Sequence, residues 1–386
     1  MNQDTAKTIS IMDTTLRDGE QTPGIAYTPS EKLHMARMLL TDVKVDRIEI
    51  ASARVSLGEL DAALRVTDWA NEVGLINRVE MLGFCDGKRS VDWIRRAGGQ
   101  TLNLLAKGSE HHCRQQLGAT PSEHIERIIE TVGYAREEEL TVNVYLEDWS
   151  NGVRDNFEYV SGLMDALQRL GIGRVLLADT LGVLSPDEVR RLVSIMTVTW
   201  SQIPFDFHGH NDYGLATANA IAAIQSGAQG IHTSVNGLGE RAGNTSLAEI
   251  VTAITDHTTC ETGINESRLA GISSLVEIFS GKNISENTPI LGNDVFTQTA
   301  GIHADGDAKG NLYATRLAPD RFGRERSYAL GKLSGKASLD HNLRKLGIDL
   351  SEANRNKVLD RIIELGDKKH NVVPEDLLMI LSLIHI

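Results

Sequence analysis

Eight short runs of apolar, largely β-branched residues recur along the first ~280 residues, and most are followed by a longer amphipathic stretch. The runs lie at 8–12, 47–51, 78–82, 101–105, 141–146, 174–178, 203–207 and 230–235. Helical periodicity fills 30–40, 59–73, 122–138, 156–170, 186–200 and 215–226 between them. Thr28-Pro29-Ser30-Glu31 and Ser185-Pro186-Asp187-Glu188 read as helix starts, because proline and acids suit a first helical turn. Strands alternating with helices eight times predict an α/β fold of the (β/α)8 TIM-barrel type. A doubly wound sheet is the rival, but the eight regular units and the lack of a strand-adjacent GxGxxG favour the barrel.

The 386-residue chain is longer than such a barrel needs. After about residue 281 the texture changes. Residues 282–310 are rich in Asn, Gly, Thr and Pro and read as loops with short elements. Helical patterns return at 338–346, 351–366 and 374–383. The expected organisation is a barrel at 1–281, a linker subdomain at 282–337 and a helical subdomain at 338–386.

Lys+Arg total 39 against 52 Asp+Glu, a net charge of −13. So acidic a chain is a poor partner for nucleic acid or anionic membranes. No apolar run approaches the ~18–20 residues of a membrane span. Cys85, Cys113 and Cys260 are scattered without a CxxC, and residues 1–10 lack the apolar core of a signal peptide, so a cytoplasmic location is expected. Against the overall charge, 309–345 holds nine Lys/Arg and only three acids. This is either a locally basic surface or a site for an anionic cofactor or substrate.

Barrel chemistry sits just past the strand ends. There the sequence reads Asp13-Thr14-Thr15-Leu16-Arg17-Asp18-Gly19-Glu20-Gln21, Tyr145-Leu146-Glu147-Asp148, His208-Gly209-His210-Asn211-Asp212 and Asn236-Gly237-Leu238-Gly239-Glu240-Arg241-Ala242-Gly243-Asn244. His208 and His210, two apart at a strand end, can point the same way. With Asp18, and Asn244 as a fourth ligand, they make a candidate site for Zn²⁺, Mn²⁺ or Co²⁺; two surface histidines is the plainer alternative. Arg17 can hold a developing oxyanion or be a salt-bridge partner of Glu20 or Glu49. Glu147 is a candidate general base, or else a structural partner of Arg17. Thr180 can donate to a carboxylate or cap a helix.

Together these segments resemble the metal-dependent Claisen-condensing TIM-barrel synthases, the 2-isopropylmalate, citramalate and homocitrate synthases. Residues 297–306 and Gly331-Lys332-Leu333-Ser334-Gly335-Lys336 resemble the linker subdomains of the same enzymes, except that Leu333 stands where many members have His. The resemblance implies a divalent metal (Zn²⁺ or Mn²⁺, with Mg²⁺ or Co²⁺ also acceptable) on Asp18, His208, His210 and Asn244. Arg17 and Thr180 would bind a 2-oxo acid, and Glu147 or a His303/Asp305 pair would take a methyl proton from acetyl-CoA. His303, Asp305 and Tyr313 would act in trans in a domain-swapped homodimer, with the basic segment facing the CoA phosphates. A short form without the end-product-binding domain of longer members is expected.

Two relatives fit less well. Residues 237–244 lack the cysteine of hydroxymethylglutaryl-CoA lyases, and no strand-end lysine is expected to match the modified lysine of carboxyltransferases. Leu82, Phe84, Leu105 and Tyr145 are expected to line the R-group pocket, with no cation for the distal carboxylate of 2-oxoglutarate. Residues 80–87 and 143–152 look like short spirochaete-type citramalate synthases. Small Gly83 and Ala106 would nevertheless leave room for a branched group. The narrow expectation is therefore 2-isopropylmalate from 2-oxoisovalerate, an acyltransferase step of leucine biosynthesis, with citramalate from pyruvate close behind. A non-catalytic metabolite-sensing barrel is the reading from another class.

Overall fold

The computed structural model describes residues 7–384 except 371 and 374. The chain forms two compact units, Met1–Asn283 and Ile284–Ile386. The first is a closed barrel of eight parallel strands in sequence order: β1 Ser10–Asp13, β2 Arg47–Ser52, β3 Val79–Phe84, β4 Thr101–Lys107, β5 Thr141–Glu147, β6 Val175–Asp179, β7 Phe205–Gly209 and β8 Gly230–Thr233. Met12 pairs with His232 and Asp13 with Thr233, so β8 closes on β1.

Every expected run is a strand, but seven of the eight extend one or two residues further toward the C-terminus. The ladder bonds main chain to main chain and is indifferent to side-chain polarity, so the strands continue into the polar rim at Asp13, Lys107, Glu147 and Asp179. β8 is the exception. It stops at Thr233, and a tight turn at Val235–Gly237 with Asn236 at φ +59° redirects the chain.

Thr28 and Ser185 form reciprocal capping boxes with Glu31 and Glu188, as their sequences suggested, and Thr120 does the same with Glu123. The helix expected at 30–40 is α-helical over Pro29–Arg37 and then widens into a π turn over Met38–Val43. Among the described residues no helix is long and apolar enough to cross a membrane, and the three cysteines are free thiols. Of the N-terminal stretch weighed as a leader, residues 1–6 lie outside the described residues.

The barrel interior is not purely apolar. Glu49, Glu80, Asn103, Asn143, Asp206 and His232 are all buried on inward strand positions. Arg47 donates to Glu80 Oε1 (3.0 Å) and ion-pairs with Asp206, which also takes Arg174. Burial opposes a charge on Asp206, but the two guanidinium groups overcome it and hold the carboxyl far below the usual range. Gly230 on β8 makes this possible: a Cβ there would lie 2.2 Å from Asp206 Oδ1.

The second unit corrects the expectation of loops at 282–310, because Gly301–Gly310 is a helix. Glycines at 301, 306 and 310 hid it. Gly301 and Gly306 serve close approaches: a Cβ at Gly301 would meet Gly335 N at 2.5 Å, and one at Gly306 the Tyr313 ring at 2.7 Å. Helices Lys336–Lys345, Glu352–Asp367 and Asp376–Leu383 follow; Pro374 of the expected 374–383 helix lies outside the described residues. Contacts cross the expected border at 337/338. Leu330 shares an apolar cluster with Leu339, Leu343, Val358 and Ile362, and Asn342 Nδ2 donates to Tyr328 O at 2.9 Å.

The basic segment is largely drawn into pairs within this unit. Arg326 pairs with Asp307, Lys309 with Asp305, Lys336 with Glu352 and Lys345 with Glu325, while Arg324 donates to the carbonyls of Ile290, Leu291 and Gly292.

Gly230→Ala is expected to displace Asp206 from its two arginines and lower stability by about 3 kcal/mol or more, the scale of a broken buried pair. Denaturant unfolding measures this. An unchanged midpoint would mean that the carboxylate has room to move.

Candidate active site

At the first strand end, Asp13 accepts from Thr15 N (3.0 Å) and Thr15 Oγ1 accepts from Val235 N (2.8 Å), tying the β1 loop to the β8 loop. Burial pushes the Asp13 carboxyl up to about 6, which fits an internal brace. This turn delivers Arg17 and Asp18 to the rim. There Asp18, His208 and His210 bring one ligand atom each within 4.8 Å of one another, all three buried. His208 Nε2 lies 3.4 Å from Asp18 Oδ2 and 3.3 Å from His210 Nε2.

Asn244 joins them from the β8 loop, donating Nδ2 to Asp18 Oδ1 and to Leu238 O, both at 3.0 Å. Its Oδ1 is buried without a partner, a costly state that a bound cation would relieve. The loop is shaped for this approach. A Cβ at Gly239 would meet Asn244 Nδ2 at 2.3 Å, and Gly243, at φ +84°, passes so close that a Cβ would reach Gly237 O at 1.9 Å.

Electrostatics prepare the cluster to receive a cation. Burial opposes charge on Asp18, but Arg17 and His208 hold its carboxyl well below the usual range. Burial, helped by His208, pushes the His210 imidazole down to about 4, so it presents a lone pair at neutral pH. Two imidazoles, a carboxylate and an amide oxygen suit a divalent transition metal.

Arg17 is clamped. Nε donates to Glu49 Oε2, Nη1 to Asp18 Oδ2 (2.7 Å) and Nη2 to Tyr145 Oη (3.2 Å). Of the two salt bridges weighed from sequence, Glu49 supplies the partner, while Glu20 goes to Lys32. A guanidinium has five N–H groups. Three hold it in place, and two, one on each terminal nitrogen, remain for an anion.

A cavity of roughly 290 Å³ opens here. Arg17, Thr180, Leu82, Phe84, Leu105 and Tyr145 all line it, with Asp18, Glu147, His208 and His210. Val55, Gln21 and Glu240 also line it and were not foreseen from sequence. Thr180 caps no helix of its own; its Oγ1 accepts from Asp148 N (2.8 Å), and its carbonyl accepts from Arg241 (2.7 Å), itself paired with Asp212.

Three expectations need correction. A strand-end lysine does exist: Lys107 ends β4, buried, and pairs with Glu147 rather than with the Asp18–His208–His210 cluster. Glu147 is accordingly not a partner of Arg17. Gly83 does not widen the cavity. A Cβ there would meet Leu102 Cδ1 at 2.6 Å and Ser90 Cβ at 3.1 Å, so it faces the outer helix Arg89–Arg96. Strand alternation turns Ala106 outward likewise, between inward Leu105 and Lys107.

In the second unit, His303 packs against Tyr313 with ring centroids 4.3 Å apart and the planes tilted by 43°. Asp305 pairs with Lys309 instead of His303, because residues two apart on a helix do not face each other. His232, Glu80 and Lys107 escaped notice in the sequence; for His232 and Glu80 a charged or imidazole residue inside an apolar strand run was the available signal, whereas Lys107 lies two residues past its run.

The HMGL-like family matches residues 8–276, and the homocitrate synthase post-HMGL domain-like family matches residues 290–370. The (R)-citramalate synthase of Methanocaldococcus jannaschii is 34% identical over 372 residues, 96% of this chain and 74% of that one. A protein named "Probable 2-isopropylmalate synthase" from Ignicoccus hospitalis is 35% identical over 371 residues, 96% of this chain and 91% of that one. A homocitrate synthase of Saccharolobus islandicus is 35% identical over 355 residues, 92% and 76% of the two chains. Among solved structures, a Bacillus subtilis HMG-CoA lyase superposes with TM-score 0.60 at 21% identity, covering 72% of this chain and 95% of the lyase, a likeness of fold alone. Matched along nearly its whole length, the chain belongs to the Claisen-condensing barrel synthases, the family of the citramalate, 2-isopropylmalate and homocitrate synthases.

Proposed function

We propose that this enzyme condenses acetyl-CoA with pyruvate and hydrolyses the thioester to release citramalate and CoA. The observation that carries the choice of acid is the lining of the cavity. Leu82, Phe84, Leu105 and Tyr145 line its apolar side, and the two small residues that would have admitted a branched group face the outer helices. The sequence-based ground for preferring 2-oxoisovalerate is therefore gone. The distal carboxylate of 2-oxoglutarate would need a cation, and Arg17 is the single cationic residue among those lining the cavity.

In this reading the two remaining N–H groups of Arg17 and the Thr180 hydroxyl hold the 2-oxo acid. A divalent cation on Asp18, His208, His210 and Asn244 would supply Lewis-acid polarisation of the ketone carbonyl. Glu147, with Oε2 engaged by Lys107, removes a proton from the acetyl methyl group. The resulting carbanion attacks the ketone carbon, which takes up a proton on oxygen, and water then cleaves the thioester. Asp305 faces Lys309, so Glu147 is the preferred base over a His303/Asp305 pair. We assign the paired rings of His303 and Tyr313, and the rest of the second unit, to completing the site on a second copy of the chain, as in the family it resembles.

CoA release, read by thiol detection, is expected to be fastest with pyruvate, at least ~10-fold above 2-oxoisovalerate in kcat/KM, with no turnover of 2-oxoglutarate. It should vanish with a chelator and return with Mn²⁺ or Zn²⁺. Preference for the branched acid would overturn the choice of substrate, and silence with all three would favour a metabolite sensor.

Glu147→Gln is expected to lower kcat by about 100-fold or more while metal binding persists. Mixing it with an inactive His303→Ala variant should restore turnover if copies share sites. Undiminished kcat in Glu147→Gln would remove the base, and no recovery on mixing would remove the shared site.

A further inference from the structure

His232 lies on β8 with its side chain fully buried, behind Tyr145, which lines the cavity. Its Nδ1 is 3.0 Å from Tyr145 Oη, and its Nε2 is 3.3 Å from Asp206 Oδ2. Asp206 already accepts from Arg47 and Arg174, so it faces His232 as an ionised acceptor, and the ring proton must sit on Nε2. Two arginines already match the charge of that carboxylate, and no other carboxylate hydrogen-bonds the ring among the described residues. The imidazole therefore faces Asp206 as the neutral Nε2–H form. Nδ1 then carries a lone pair.

A tyrosine has one hydroxyl proton. Nδ1 takes it at 3.0 Å, ahead of Glu49 Oε2 at 3.4 Å. The Tyr145 oxygen is left as an acceptor, which is what the Arg17 Nη2–H at 3.2 Å requires. The chain thus has one direction: Arg17 donates to Tyr145, Tyr145 to His232, and His232 to Asp206.

We infer that His232 and Tyr145 are positioning residues that aim Arg17 at the 2-oxo acid, and that Tyr145 offers the substrate no proton. The inference rests on the reading that Arg17 binds the acid. With the chain reversed, Tyr145 would present its proton to Arg17, two donors would meet, and the guanidinium would swing from its clamp.

The test uses the metal-loaded full-length enzyme with pyruvate and acetyl-CoA. His232→Phe should raise the pyruvate KM by roughly tenfold or more and leave the acetyl-CoA KM within about twofold. His232→Gln can both accept from Tyr145 and donate to Asp206, and should stay within about threefold of the parent. A ¹⁵N-histidine spectrum, assigned by the loss of one ring in His232→Gln, should show a protonated Nε2 and an unprotonated Nδ1. If His232→Phe does not fold, Tyr145→Phe supplies the same KM comparison.

A proton on Nδ1, or a Gln variant as impaired as the Phe variant, would overturn the inference, as would an unchanged pyruvate KM in both His232→Phe and Tyr145→Phe. Arg17→Gln separates the two levels. An unchanged pyruvate KM there sinks the substrate-binding reading itself, whereas a raised one with normal His232 variants sinks only the positioning role.

Discussion

A closed circuit of buried hydrogen bonds runs through the barrel, and the active-site rim hangs from it. Arg17 donates to Glu49, and Asn103 donates to the other oxygen of Glu49 at 2.7 Å. Asn143 bridges Asn103 and Glu80 at 2.9 and 3.4 Å, and Arg47 joins Glu80 to Asp206. His232 and Tyr145 return the circuit to Arg17. Every member is buried or nearly so, and every charge has an opposite partner, the condition under which buried ions are tolerable. Such an interior is no more stable than a well-packed apolar one. It does fix one orientation for Arg17, where a purely apolar barrel would leave that side chain free to rotate.

The rim loops add a second constraint. The β1 and β8 loops are joined through Thr15 and Val235, and Asn244 reaches Asp18 across a backbone approach that only glycine permits at positions 239 and 243. Arg241 ties the loops after β6 and β7 together through Thr180 O and Asp212. The cation-binding atoms, the anion-binding arginine and the carboxylate of Glu147 are therefore set by four different strands but held to one another before any ligand arrives. That preorganisation is what a condensation between two separately bound substrates demands, since misplacement by 1 Å can cost two orders of magnitude in rate.

Much of this was legible in the sequence. The eight apolar runs announced the barrel, and strand-end position alone selected Arg17, Asp18, Glu147, His208, His210 and Asn244, which the structure gathers around one cavity or beside it. What failed were inferences that needed side-chain direction. Gly83 is small because Leu102 and Ser90 crowd its outer face, not to enlarge the cavity, and a one-residue step along a strand reverses the face. Lys107 was invisible as a strand end because the apolar run stops at Leu105, while the ladder continues two residues further. His232 reads as one polar residue in a short run until the fold sets Asp206 beneath it and Tyr145 above.

The account turns on where a 2-oxo acid sits relative to Arg17 and the Asp18–His208–His210 cluster. A crystal structure with Mn²⁺ and pyruvate, with the metal located by anomalous scattering, measures this directly. The account predicts the ion among Asp18, His208, His210 and Asn244, the pyruvate carboxylate on the terminal nitrogens of Arg17, and its methyl group against Leu82 and Leu105. Metal density elsewhere, or pyruvate bound away from Arg17, would contradict it.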